Sequence, residues 1–202
     1  MTAMLRESYH HGDLRNALLG AALDLVRETG STRFPLRDLA DRVGVTQPAI
    51  YRHFDDLSDL LSTLCRDGFT VFAEIERRVM AESQDPWIQL QGLIRAYIRF
   101  CTGNPGYFRI MFDSGIANQP ENIARAQPTF QIIVDTIAKT DTDNGSSCAF
   151  EKAVALWAAM HGISALMLSG QLGAVLSKPE RAARLEKAVA DLIERGLGGP
   201  SA

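Results

Sequence analysis

Apolar residues recur at three- and four-residue spacing along almost the whole chain, and no stretch alternates as a strand would. Leu14, Leu18, Ala21, Ala22, Leu25 and Val26 form the stripe of a first helix, which Gly30 ends. Leu36, Leu39, Ala40 and Val43 mark a short second helix whose Arg37, Asp38, Asp41 and Arg42 point away from the core. Gly44 suits a left-handed helix end, Thr46 offers a hydroxyl to cap the next helix, and Pro48 fits a first turn. Ala40 is small where two helices must approach, and Ile50 stands where a plug between them is needed. This is the spacing of a helix-turn-helix. With Ile50 inward, Gln47, Pro48, Ala49, Tyr51, Arg52 and His53 are left outward, a set of donors, a cation and a ring suited to a DNA major groove.

Downstream, Leu61, Leu64, Cys65, Gly68, Phe69, Phe72 and Ile75 predict a long helix from Ser58 to about Met80. Asp85 and Pro86 start another, carrying Trp87, Leu90, Ile94, Tyr97, Ile98 and Cys101 as far as Gly103. Asn104 and Pro105 open a short aromatic helix with Tyr107, Phe108, Met111 and Phe112. Pro120 and Pro128 bracket a polar passage, after which Phe130, Ile133, Val134 and Ile137 read as helical; residues 140–147 read as a loop. Between Lys152 and Lys178 no residue carries a fixed charge, so a helix there must be covered on every face. Ala155, Ala158, Gly162 and Ala165 give it one small-residue face, and a partner subunit is expected to cover what one chain leaves bare. Ser177 and Glu180 have capping-box spacing before a last helix bearing Leu185, Val189, Leu192 and Ile193, closed by Gly196. The expected fold is all-α, about nine helices in total: an N-terminal three-helix bundle with the helix-turn-helix (residues 1–56) and a larger C-terminal helical bundle (57–197), with a disordered tail (198–202).

Composition narrows this picture. The 202 residues hold ample apolar content for a core, and neither an apolar run of membrane length nor an apolar core in the Met1 to Tyr9 leader is present, so a cytoplasmic protein is expected. Cys65, Cys101 and Cys148 are three, far apart and without metal-ligand spacing, which fits a reducing compartment and no metal. Net charge is -3, and in residues 1–67 eight arginines face ten acids, so bulk charge cannot hold this chain to DNA. Any footprint must be positional.

The segment TQPAIYRHF, together with Tyr9-His10-His11-Gly12-Asp13-Leu14-Arg15 before it and Asp59-Leu60-Leu61 after it, resembles the DNA-binding domain of the TetR family of transcriptional regulators. Trp157, His161 and Gly162 resemble the Trp-His-Gly signature of one C-terminal class in that family. The resemblance implies a homodimer on a palindromic operator, released by a small-molecule effector. It implies a DNA-facing set of Arg37, Thr46, Gln47, Pro48, Ala49, Tyr51, Arg52 and His53, with His10, His11 and Arg15 near the DNA backbone. Two departures stand out. Pro35 replaces the Ser or Thr that caps the first motif helix in many relatives, and Asp55-Asp56 stands where a phosphate-binding lysine is usual.

For the effector, Phe72, Tyr97, Phe100, Tyr107, Phe108, Phe112 and Trp157 suggest an apolar chamber with His161 as a polar contact, and bulky residues at Ala155 or Ser164 are expected to fill it. The dimer interface is expected at Ala158, Gly162, Ala165, Leu185, Val189 and Leu192. No cofactor is implied. Two other classes remain open: a helical-bundle enzyme using His161 as base, for which no nucleophile elbow, phosphate loop or HExxH motif is present, and a protein-interaction module that does not bind DNA.

Overall fold

A computed structural model describes residues 11–140 and 148–172, together with residues 184, 187, 188 and 191. All regular structure among them is α-helical, in nine defined helices. α1 (His11–Thr29), α2 (Leu36–Val43) and α3 (Gln47–Ile50) form the N-terminal unit. Leu18, Ala22 and Val26 from α1, Leu39 and Ala40 from α2, and Ile50 and Phe54 around α3 are all buried in it. The helix-turn-helix angle is fixed at Gly44, whose φ of 76° a side chain would disfavour. Its amide bonds back to Asp41 O and the amide of Val45 to Ala40 O at 2.9 Å, the paired bonds of a Schellman motif. A two-pronged ion pair from Arg42 to Glu28, at 2.7 and 2.6 Å, ties α2 to α1.

Pro35 caps α2 without a side-chain bond, as its lack of a hydroxyl requires. Thr46 departs from expectation. It stands at the N-cap of α3, yet its side chain caps nothing; the backbone bond from Ala49 N to Thr46 O, 2.9 Å, closes the turn instead. Asp55 and Asp56 have a local role: Asp56 accepts from Asp59 N at 2.8 Å as the N-cap of α4, while Asp59 accepts from Asp55 N at 3.1 Å. The pair starts the long helix.

α4 (Leu57–Glu82) has 26 residues and spans about 39 Å. It passes from the N-terminal unit into a bundle with α5 (Pro86–Gly103), α8 (Pro120–Thr140) and α9 (Ala149–Leu168). α6 (Pro105–Met111) and α7 (Ser114–Ala117) turn back toward α1. Gly106 makes that return close: a Cβ there would stand 2.8 Å from the carbonyl oxygen of Leu23, backbone that cannot swing aside. The polar passage bracketed by Pro120 and Pro128, after which a helix is expected, is itself the first half of α8, with Pro128 inside the helix. Proline removes one ladder bond. Buried Asn122 ties the segment to α4 and α7 through Ser62 Oγ and Ile116 O, a tertiary contact that offsets the proline. Cys65 and Cys101 are buried free thiols, pushed up to about 11 and about 12 by desolvation, while Cys148 is exposed. The Ser177–Glu180 capping box and the tail lie outside the described residues.

Candidate functional site

Two surfaces assemble from this scaffold. On the N-terminal unit, Ile50 is fully buried, and that anchors one side of α3 and turns the other to solvent. Gln47, Pro48 and Arg52 are exposed, as is Tyr51 at 55%, while Ala49 and His53 are half-buried at the edge of the set. Thr46 is exposed beside them with a hydroxyl not used in capping. Arg37 is solvent-facing, 3.9 Å from Asp41 with both side chains about three-quarters exposed, a pair that holds neither strongly. Arg15 is exposed with its guanidinium 5.1 Å from the centre of the Phe54 ring, which places it beside the α3–α4 junction. His10 lies outside the described residues, and of His11 only the backbone at the start of α1 is described.

The second surface is a chamber of about 780 Å³ between α4, α5, α8 and α9. Among the described residues its wall is a chain of touching rings: Phe72 lies 5.7 Å from Tyr97 and 5.1 Å from Phe100, Phe112 lies 6.3 Å from Trp157, and Phe130 lies 6.2 Å from Trp157 and 5.8 Å from Phe150. Of the expected ligand residues, Phe72, Tyr97, Phe100, Phe112 and Trp157 line it. Tyr107, Phe108 and His161 do not. Tyr107 stacks behind Phe100 at 6.3 Å, and Phe108 stacks on the His161 ring at 4.9 Å. Ala155 and Ser164 also miss the wall, Ala155 being exposed and Ser164 buried with its hydroxyl bonded to Met160 O at 2.8 Å. Sequence reasoning missed the large side chains Phe69, Met111, Ile123, Phe130 and Phe150, which also line the wall beside smaller and polar residues of α8. Phe130 and Phe150 carried a helical-face signal; Ile123 lay in the polar passage between Pro120 and Pro128.

The chamber offers few polar groups. Burial raises the Tyr97 phenol far above its ordinary range, and its oxygen lies 3.1 Å from His161 Nδ1. Desolvation lowers the His161 pKa, which favours the neutral imidazole, and its ring lies 4.6 Å from Phe112. Thr129 turns its hydroxyl to Ala126 O at 2.8 Å, and Gln131 is held by Asp135 at 2.8 Å. A mostly apolar molecule of drug size fits these walls.

The chamber also touches what leads to the DNA side. Met111 and Phe112 close one end, at the C-terminal turn of the helix whose Gly106 presses on α1. One residue further, Asp113 Oδ2 accepts the Thr32 hydroxyl at 2.6 Å, joining the α1–α2 loop to the α6–α7 corner. Among the described residues no helix is long and apolar enough to cross a membrane, and no cluster of metal-ligating side chains is present.

Two family sequence models match the chain: "Bacterial regulatory proteins, tetR family" over residues 18–64 and "Tetracyclin repressor-like, C-terminal domain" over residues 90–192. Among curated proteins, the nucleoid occlusion factor SlmA of Marinobacter nauticus is 24% identical over 116 residues, 57% of this chain and 60% of that protein. The class A tetracycline repressor of transposon 1721 from Escherichia coli is 38% identical over 72 residues, 36% of this chain and 32% of the repressor. The matches thus span three fifths or less of these relatives. Among solved structures, a protein of unknown function from Rhodococcus sp. RHA1 superposes with a TM-score of 0.76 at 26% identity, covering 95% of this chain and 98% of that one. The matched families are of regulators, which sets the enzyme reading aside. With its C-terminal match alone covering just over half of its residues, and the helix-turn-helix unit matched separately, the chain belongs to the TetR family of transcriptional regulators.

Proposed function

We propose that this regulator binds a palindromic operator as a homodimer and that a mostly apolar small molecule in the chamber releases it, making it a repressor. The observation that carries the reading is that one short helix serves both sites: α6 closes the chamber with Met111 and Phe112 and bears on α1 through Gly106. A ligand that displaces the end of α6 therefore moves the unit carrying Gln47 and Tyr51. Coupling needs only differential affinity: a tenfold preference for the non-binding arrangement shifts DNA affinity by about 1.4 kcal/mol. In this reading residues 1–56 bind DNA and 57–197 bind ligand and partner.

The DNA-facing set is Arg37, Thr46, Gln47, Pro48, Ala49, Tyr51, Arg52 and His53, with Arg15 on the backbone side. Two such units meet successive major grooves about 34 Å apart. The dimer reading is supported by the small-residue face of α9. Ala155 and Ala158 are exposed, a Cβ on Gly162 would meet nothing within 4 Å, and Leu166 is 40% exposed. Ala165 is half-buried at its edge. The side chains of Leu185, Val189 and Leu192 lie outside the described residues. Assignment of the C-terminal domain to the Trp-His-Gly class belongs to the same proposal, supported by the contact of Trp157 with His161 at 5.8 Å.

The test is selection from random duplex DNA followed by titration of the recovered site against a library of apolar ligands. A two-fold symmetric site whose affinity falls with one ligand is the expected result. Selection that enriches no sequence returns the protein-interaction reading.

A further inference from the structure

We propose that the cleft between the α1–α2 loop and α6 is a second ligand site, which takes a small oxyanion, a carboxylate or a phosphate, between Arg33 and Arg109. The cleft measures about 340 Å³ and is separate from the aromatic chamber, although Phe112 lines both. Arg33 comes from the loop of the DNA-binding unit and Arg109 from α6. Both side chains are exposed, and among the described residues neither guanidinium pairs with a carboxylate.

Among the described residues the one acid lining the cleft is Asp113, held in place by two bonds: Oδ2 accepts the Thr32 hydroxyl at 2.6 Å and Oδ1 accepts Gly115 N at 2.9 Å. Among the described residues two arginines thus line a polar cleft against a single carboxylate, which leaves the lining net positive, and guanidinium forks match the paired oxygens of carboxylate and phosphate. Half-buried His161 also lines this cleft, and its Nδ1 contact with the Tyr97 hydroxyl bears on which proton it offers. When the phenol donates to Nδ1, Nε2 carries the proton and becomes a third donor for an anion.

The loop is built to hold this arrangement. Ser31 Oγ accepts from Arg33 N at 3.0 Å, fixing the backbone that carries Arg33. Arg109 lies across Gly30, with Nη2 3.4 Å from where a Cβ would stand, so the guanidinium rests against the loop that carries Arg33. An anion between the two arginines links the DNA-binding unit to the helix that closes the chamber, and through Phe112 the two cavities influence each other. The regulatory consequence rests on the chamber reading above; the binding itself does not.

Calorimetric titration of the full chain, without DNA or apolar ligand, with inorganic phosphate and separately with acetate, each at fixed ionic strength set by sodium chloride, tests the site. Wild type is compared with Arg33→Ala, Arg109→Ala and, as a surface-charge control on α8, Arg125→Ala, with thermal melts confirming that all four fold. Saturable binding of at least one anion, weakened tenfold or more in both cleft variants and unchanged in the control, is the expected result. The probe that binds distinguishes the phosphate from the carboxylate source. Absence of saturable binding of both anions by wild type, an equal loss in Arg125→Ala, or retained affinity in either cleft variant overturns the site.

Discussion

Asn122 Nδ2 donates to Ser62 Oγ across 2.9 Å in a contact where both residues are buried, and the same amide donates to Ile116 O at 2.8 Å. One side chain therefore pins the first turn of α8 to both α7 and the N-terminal part of α4. Arg66 extends the link, donating to Ser62 Oγ at 2.8 Å and Thr63 Oγ1 at 3.1 Å. Replacing Asn122 by Leu removes both bonds, while Ser62 Oγ keeps Arg66 and Ile116 O keeps the amide of Gln119 at 3.1 Å, so we expect about 1 to 2 kcal/mol of lost stability by urea denaturation. A loss under about 0.5 kcal/mol would show the network to be incidental.

Gln47→Ala and Tyr51→Ala are each expected to weaken operator binding by about 1 to 3 kcal/mol in a sequence-selective way, while Arg52→Ala acts more evenly across sequences through phosphate. These side chains are exposed, so melting temperature should hold. Fluorescence anisotropy on the selected operator and on scrambled duplex separates the two kinds of loss.

Glu76 is fully buried on α4 with neither carboxylate oxygen hydrogen-bonded, and desolvation pushes its pKa from about 4.5 up to about 8. The folded protein keeps this proton while the unfolded chain releases it. Stability is therefore greatest below the unfolded value and declines as pH rises from about 4.5 to about 8, at about 1.4 kcal/mol per unit from this group. Glu76→Met removes the charge at similar length. It should stabilise the protein by about 2 to 4 kcal/mol at pH 8 and by far less at pH 5. Urea melts at the two pH values decide; an equal effect at both contradicts the buried-proton account.

Ala126 lines the chamber from α8 and is half-buried, so Ala126→Phe places a ring in the cavity. Loss of the ligand response with operator binding intact is expected, together with a change in melting temperature equivalent to less than about 1 kcal/mol. In a solid core the same ring would overpack, costing about 1 to 3 kcal/mol. Operator titrations with and without the ligand, beside a thermal melt, distinguish the two.

Ala158→Glu places a charge on the exposed small-residue face of α9. Sedimentation should show wild-type dimers at micromolar concentration and monomers for the variant. A wild-type monomer at that concentration ends the dimer proposal.

The helices and the outward face of α3 were legible from the chain because they are set by local, repeating physics. Apolar residues at three- and four-residue spacing, Gly44 at the turn and Ile50 as plug determine the helix-turn-helix, and any partner for that face meets Gln47, Tyr51 and Arg52. The aromatic residues signalled a chamber, since so many rings on facing helices are hard to pack solid. Which rings line it was decided by tertiary structure. Helical periodicity gives the side of a helix on which Phe108 or His161 stands but not the neighbour it meets, and in the fold these two stack on each other behind Phe112. Asn122 lay in a polar passage where Pro120 suits a helix start but Pro128 removes a bond further on, and its buried hydrogen bonds to Ser62 and Ile116 O, which no local pattern announces, anchor the first turn. The pairing of Thr32 with Asp113, 81 residues apart, has no signature in either local segment. It exists because Gly106 lets α6 lie against α1, and that long-range approach brings the aromatic chamber and the helix-turn-helix unit together.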